Sequence, residues 1–154
     1  MSGLFRIVVI AFTALFTFSA SATSLPTSRY QNKYNVLLVY AQSPNDPEIM
    51  KTRLMVDANK ENLKAHELVV LGIYPTSVEL VFGPEKEEVA SGISLANDLR
   101  FCFVVKENVF RTIVLGKDGV QKARALTSLS YEDLAGALSV SNAQIDFSGT
   151  PRIN

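Results

Sequence analysis

Residues 35–41 (NVLLVYA) form a nearly continuous apolar run, rich in β-branched and aromatic side chains, that stops abruptly at Ser43-Pro44-Asn45-Asp46-Pro47. The run is short and bounded by turn chemistry, which favours a strand over a helix. A strand without polar alternation is buried on both faces, so the sheet that contains it must be covered by helices on both sides. The residues that follow fit this. Asp46-Pro47-Glu48 reads as a helix start, with Asp as the cap, Pro at the first helical position and Glu complementing the dipole. The spacing predicts a helix over residues 46–65, with Met50, Leu54 and Ala58 facing the sheet. Residues 67–74 (ELVVLGIY) repeat the buried-strand pattern. Strand, helix and strand within this distance form a βαβ unit, whose crossover is expected to be right-handed.

Further along, residues 77–82 predict a short strand ended by Gly83-Pro84, and residues 85–88 form a mainly acidic run read as a solvated loop or helix start. Leu95, Leu99 and Phe103 recur at i+4 and predict a helix over residues 88–103, weakened in its middle by Gly92. Residues 109–116 and 120–126 flank Lys117-Asp118-Gly119 and read as a β-hairpin, Asp-Gly supplying the positive φ angles of its turn. Ser130 caps a last helix with Leu134, Ala135 and Leu138 as its apolar face. Residues 23–33 read as a flexible lead-in and residues 141–154 as a tail, which leaves one domain over residues 34–140.

Composition is uneven. The chain carries 15 Lys+Arg against 15 Asp+Glu, but Arg6 is the only charge in residues 1–22. A short n-region, an apolar run over residues 7–18 and the small-residue stretch Ser19-Ala20-Ser21-Ala22 form the pattern of a cleaved secretory signal peptide. That apolar run would span about 18 Å as a helix, against ~30 Å for a hydrocarbon core, so it is too short for a membrane anchor. Cleavage after Ala22 leaves a domain of net charge −1 with no transmembrane segment, expected in the periplasm or outside the cell. A neutral chain lacks the basic surplus of a nucleic-acid binder. One Cys and one His exclude an internal disulfide framework and cysteine-rich zinc sites. No metal site and no cofactor are expected.

The order β-α-β, a further strand, then α-β-β-α is the thioredoxin-like arrangement: a single α/β domain of three layers, with a mixed sheet flanked by helices. Residues 36–47 (VLLVYAQSPNDP), 67–70 (ELVV) and 115–122 (LGKDGVQK) together resemble the DUDES group, a thioredoxin-like domain of unknown function. That group occurs in exported bacterial proteins and in some vertebrate extracellular-matrix proteins with sushi repeats. The chain departs from the pattern in having His66-Glu67 where the group commonly has an arginine–acid pair before the second strand. It also lacks a clear basic, methionine-containing ending in residues 145–152. Where a thioredoxin has its Cys-x-x-Cys, the loop after Ala41 contains no sulfur, so it cannot perform thiol–disulfide exchange. Arg111 aligns with the cis-proline position.

Five residues stand out as site candidates. Ser43, Asn45 and Asp46 lie at a helix N-terminus, where exposed N–H groups hold anions; their plainer role is turn and cap chemistry. Arg111 interrupts an apolar strand and either meets solvent or an acid, or faces the Ser43–Asp46 loop to bind a carboxylate or phosphate. Cys102, flanked by Phe101 and Phe103, is expected to be buried, with a redox or dimer-forming role as the alternative. His66 reads as a helix C-terminal cap and Asp118 as a turn residue. Three functions follow as expectations. The first is a non-catalytic domain binding an envelope or extracellular protein, favoured by the emptied redox loop. The others are a redox-linked, peroxiredoxin-like protein using Cys102, and an anion-binding module built on Ser43–Asp46 with Arg111.

Overall fold

The computed structural model describes residues 26–84 and 92–140, and the backbone of 145–146. The expected signal peptide and the acidic run at 85–88 lie outside these residues.

The first strand, β1 (Asn35–Tyr40), is buried along nearly its whole length and sits in the middle of the sheet. On one side it pairs in parallel with β2 (Leu68–Ile73), and on the other antiparallel with β4 (Arg111–Leu115). β3 (Val78–Phe82) adds antiparallel to β2, and β5 (Gln121–Ala125) antiparallel to β4. The two-residue β6 (Ile145–Asp146) pairs in parallel with β5. The order is therefore β3-β2-β1-β4-β5-β6. This mixed sheet, flanked by helices, is compatible with a thioredoxin-like three-layer fold. β6 falls in the stretch read as a tail.

Two apolar layers form because successive residues of each strand face opposite ways. Leu37, Val39, Val70 and Val114 pack with Ile49, Val56, Leu63 and Leu134 from α1 (Pro47–Ala58), α2 (Lys60–Ala65) and α4 (Tyr131–Ser139). Leu38, Tyr40, Leu71 and Ile113 pack with Ala96 and Leu99 from α3 (Ile93–Cys102). The doubly buried strand pattern thus has its helices on both faces.

Several expectations are corrected. The helix expected over 46–65 is broken at Asn59, whose Nδ2 bonds back to the Met55 carbonyl while its own N–H goes to Val56, so the i→i−4 ladder ends there. Its inward face is nearly opposite the one expected: Ile49, Thr52 and Val56 are buried, while Met50 and Leu54 are 44% and 67% exposed. Within the described residues, the helix expected over 88–103 begins at Ile93, with Gly92 as its extended N-cap instead of an interior residue. Within the described residues, the lead-in packs against the domain. Thr27 and Tyr30 are buried around a one-turn 3-10 helix (Ser28–Tyr30), and Asn32 N–H reaches the Lys117 carbonyl. In the hairpin only Gly119 has positive φ (76°). Gly116 N–H bonds the Val120 carbonyl, and the register shifts between Val114 and Leu115, so the expected three-residue connection Lys117-Asp118-Gly119 is a loop with a bulge in which Asp118 does not share the positive φ. In α4, Leu134 and Ala137 are the buried pair, with Leu138 partly buried beside them.

Candidate functional site

The loop after β1 is occupied by its own hydrogen bonds. Ser43 Oγ accepts from Asn45 N–H, and Asp46 Oδ1 accepts from Glu48 N–H at 2.9 Å. Pro47 removes one donor, and Glu48 adds a second carboxylate to the first turn. The positive end of α1 is thus already met by the chain's own acids. Arg111 pairs in register with Tyr40, which places both side chains on the α3 face of the sheet; α1 packs on the other face. Sequence reading joined Arg111 to Ser43, Asn45 and Asp46; the register sets Arg111 beside Tyr40, at the end of β1 from which that loop departs.

The other candidates are placed as follows. Cys102 is the last residue of α3 and is exposed, contrary to the burial expected of it, because the helix turns Leu99 inward and leaves Phe101 and Cys102 outward. His66 is the C-cap of α2, its carbonyl accepting from Asn35 Nδ2 and its Nε2 lying 3.4 Å from the Tyr131 hydroxyl. Asp118 accepts from Val120 N–H and from Lys122 Nζ, and these bonds hold its carboxyl below the usual range. Among the described residues, no three His, Cys, Asp or Glu side chains gather closely enough to hold a metal, and no helix is long and apolar enough to cross a membrane.

A different arginine marks the corner where chemistry is concentrated. Arg100, on the last turn of α3, is only 7% exposed. Its guanidinium lies 5.5 Å from the centre of the Tyr40 ring, and its Nη2 makes a long 3.5 Å bond to the carbonyl of Ile73, the last residue of β2. Its Nε and Nη1 are buried without a hydrogen-bond partner. Burial pushes its pKa down, against the opposing pull of Tyr40 and Glu107. Tyr40 donates its hydroxyl to the Leu99 carbonyl at 3.1 Å, and its own burial pushes its pKa up. Arg124 stands on the same face, opposite Ile113, with Nη2 on the Val104 carbonyl and Nε buried without a partner.

Arg100 borders two adjoining spaces. The first, about 110 Å³, lies beyond the carboxyl ends of the parallel strands β1 and β2 and is lined by Gln42, Pro75, Asn97, Arg100, Glu107 and Asn108. Carboxyl ends of parallel strands are where open α/β sheets commonly take ligands. The second, about 460 Å³ and more open, is walled by Phe101, Val104 and Val105 with Lys106 at its edge. Phe101 and Val104 are 86% and 79% exposed. Their display is built into the end of α3. Val105 N–H returns to the Arg100 carbonyl and Val104 N–H to the Phe101 carbonyl, with Val104 in the left-handed region (φ 51°). This is a Schellman ending with valine where glycine is usual. A further cavity, about 740 Å³, lies at the opposite end of the strands beside Tyr34, Glu67 and Leu68.

Sequence reasoning missed Arg100. Its signal was a lone arginine between Leu99 and Phe101, on a helix read only for its Leu95, Leu99 and Phe103 stripe. Gln42, Asn97 and Glu107 carried no signal, because they come together only through the sheet topology.

The chain has no match among curated proteins or solved structures. Residues 26–138 match the family model described as a domain of unknown function, DUF4174, and the chain belongs to that family.

Proposed function

We propose that the chain is an exported, non-catalytic binding domain that takes its ligand at the corner formed by the end of α3 and the carboxyl ends of β1 and β2. The observation that carries this reading is the exposed pair Phe101 and Val104 beside an open groove that ends at the buried Arg100. Large apolar side chains set together on a surface mark contact sites. Export rests on the leader-like residues 1–22, and the absence of catalysis on a loop after β1 that has no thiol and uses its polar groups for capping. A photocrosslinking residue at position 101 of the full chain, expressed in its host, tests the binding. The expected result is a discrete adduct that the same residue at exposed Lys51 does not form. Equal, diffuse labelling at both positions refutes it. N-terminal sequencing of the envelope-extracted protein should return Thr23, and a retained Met1 refutes export by cleavage.

A second reading uses Cys102, favoured by its exposure at the end of α3. Redox chemistry there requires a nucleophilic thiolate. Iodoacetamide labelling of the native chain against pH decides it: half-maximal labelling well below the usual thiol range supports it, and an ordinary thiol profile ends it.

A further inference from the structure

Guanidinium nitrogens are strong, always-charged donors, and burying one without a partner is costly. Arg100 buries two such nitrogens and lines a small cavity together with Pro75, the amides of Gln42, Asn97 and Asn108, and one acid, Glu107. Glu107, in that lining, forms no ion pair with Arg100. Arg124 stands on the same face, a second cation beside the single lining acid Glu107. The cavity therefore has the charge and donors for an anion, and its small volume limits that anion to a compact group. Beside it the Phe101–Val104 groove offers an apolar track, so the two spaces together fit a molecule with an anionic head and an apolar substituent.

We propose that Arg100 binds the carboxylate of such an amphiphilic ligand, with its apolar part along Phe101 and Val104. Planar carboxylate oxygens match the fork of a guanidinium, and the amides of Gln42 and Asn97 stand in the same lining to complete the head-group site. Glu107 opposes the ligand's charge and sets a ceiling on its affinity. This inference rests on the binding reading of the same corner and deepens it by naming the ligand's chemistry.

The test titrates the purified chain with octanoate, N-acetyl-leucine, octanol and inorganic phosphate at constant ionic strength. It follows both heat and the Nε–Hε resonance of Arg100. Octanoate represents a lipid-derived source of the carboxylate and N-acetyl-leucine a peptide-derived one. Saturable binding of either, with movement of the Arg100 resonance, is the expected result. Arg100→Met should weaken that binding at least about tenfold, the loss of a charge-assisted pair. Glu107→Gln should strengthen it. Octanol binding as tightly as octanoate, phosphate binding more tightly than both carboxylates, or an Arg100 resonance unmoved at saturation each overturns the proposal. The resonance is read in the unmodified chain, so the test survives a variant that fails to fold. A discrete adduct at position 101 together with no carboxylate binding would overturn this inference alone and leave the binding corner standing.

Discussion

Glu48 Oε2 accepts two hydrogen bonds from Ser128, one from its backbone N–H at 2.8 Å and one from its hydroxyl at 2.9 Å. A first-turn acid of α1 thereby fastens the loop between β5 and α4. Lys51 and the Ser128 N–H together hold the Glu48 carboxyl down to about 2, from an ordinary value of 4.5. A depressed folded-state pKa contributes stability that is fully present above the unfolded value and is lost as pH falls through the folded one. The window for Glu48 is therefore about 4.5 down to about 2. Glu48→Gln should cost about 1 kcal/mol near neutral pH and flatten the acid limb of stability in that window. Urea midpoints measured from pH ~6 to ~2 check both effects.

Asp46 caps α1 through Glu48 N–H. Asp46→Ala should cost about 1 kcal/mol, while Asp46→Asn, which keeps the acceptor, should cost less. If the helix start were instead an anion site, removing the Asp46 charge would tighten phosphate binding. The capping account expects no phosphate dependence in either variant, and thermal melts with and without phosphate separate the two.

Gly72 leaves room for the side chain two residues further along the chain, just past the end of its strand. A Cβ at Gly72 would come within 2.7 Å of the Tyr74 hydroxyl, which donates to Glu79 Oε2 at 2.9 Å while Arg53 Nη2 binds the same oxygen. Burial and Glu79 push the Tyr74 hydroxyl up to about 12. Gly72→Ala should therefore cost about 1–3 kcal/mol from crowding. Tyr74→Phe alone loses a hydrogen bond worth about 1 kcal/mol. In the double variant the crowding atom is gone, so the two costs should add to less than their sum, as a double-mutant cycle by denaturant unfolding will read.

The sheet was legible in the sequence because its strongest signals are local. The runs at residues 35–41 and 67–74 have no polar alternation, and Ser130 and Asp46 are cap residues in both readings. The inward face of α1 was not legible. Met50, Leu54 and Ala58 offered a tidy i+4 stripe, but Ile49, Thr52 and Val56 were the residues turned inward. The site was hidden for a different reason. Gln42, Asn97 and Arg100 share a cavity because β1 and α3 meet at one end of the sheet, and no spacing along the chain encodes that meeting. Arg111 was legible as unusual, but its face was not, because strand register decides it and a one-residue phase is invisible without the pairing to Tyr40.

Val104 links the strain in the fold to the proposed surface. A β-branched residue in the left-handed region is strained by about 1–2 kcal/mol, and at 79% exposure Val104 recovers little of it by packing. Glycine fits the Schellman position without that strain but gives the unfolded chain more freedom, so Val104→Gly should raise stability by a net ~0.5–1 kcal/mol. A valine kept for folding alone would behave in the opposite way, and the variant would melt lower. The same substitution removes one wall of the groove beside Phe101. The variant should therefore be more stable in heat yet bind octanoate several-fold more weakly, with the Arg100 resonance still responding at higher ligand concentration. Melting curves and titrations on the one protein give both readings, and a gain in stability with unchanged affinity would remove Val104 from the site.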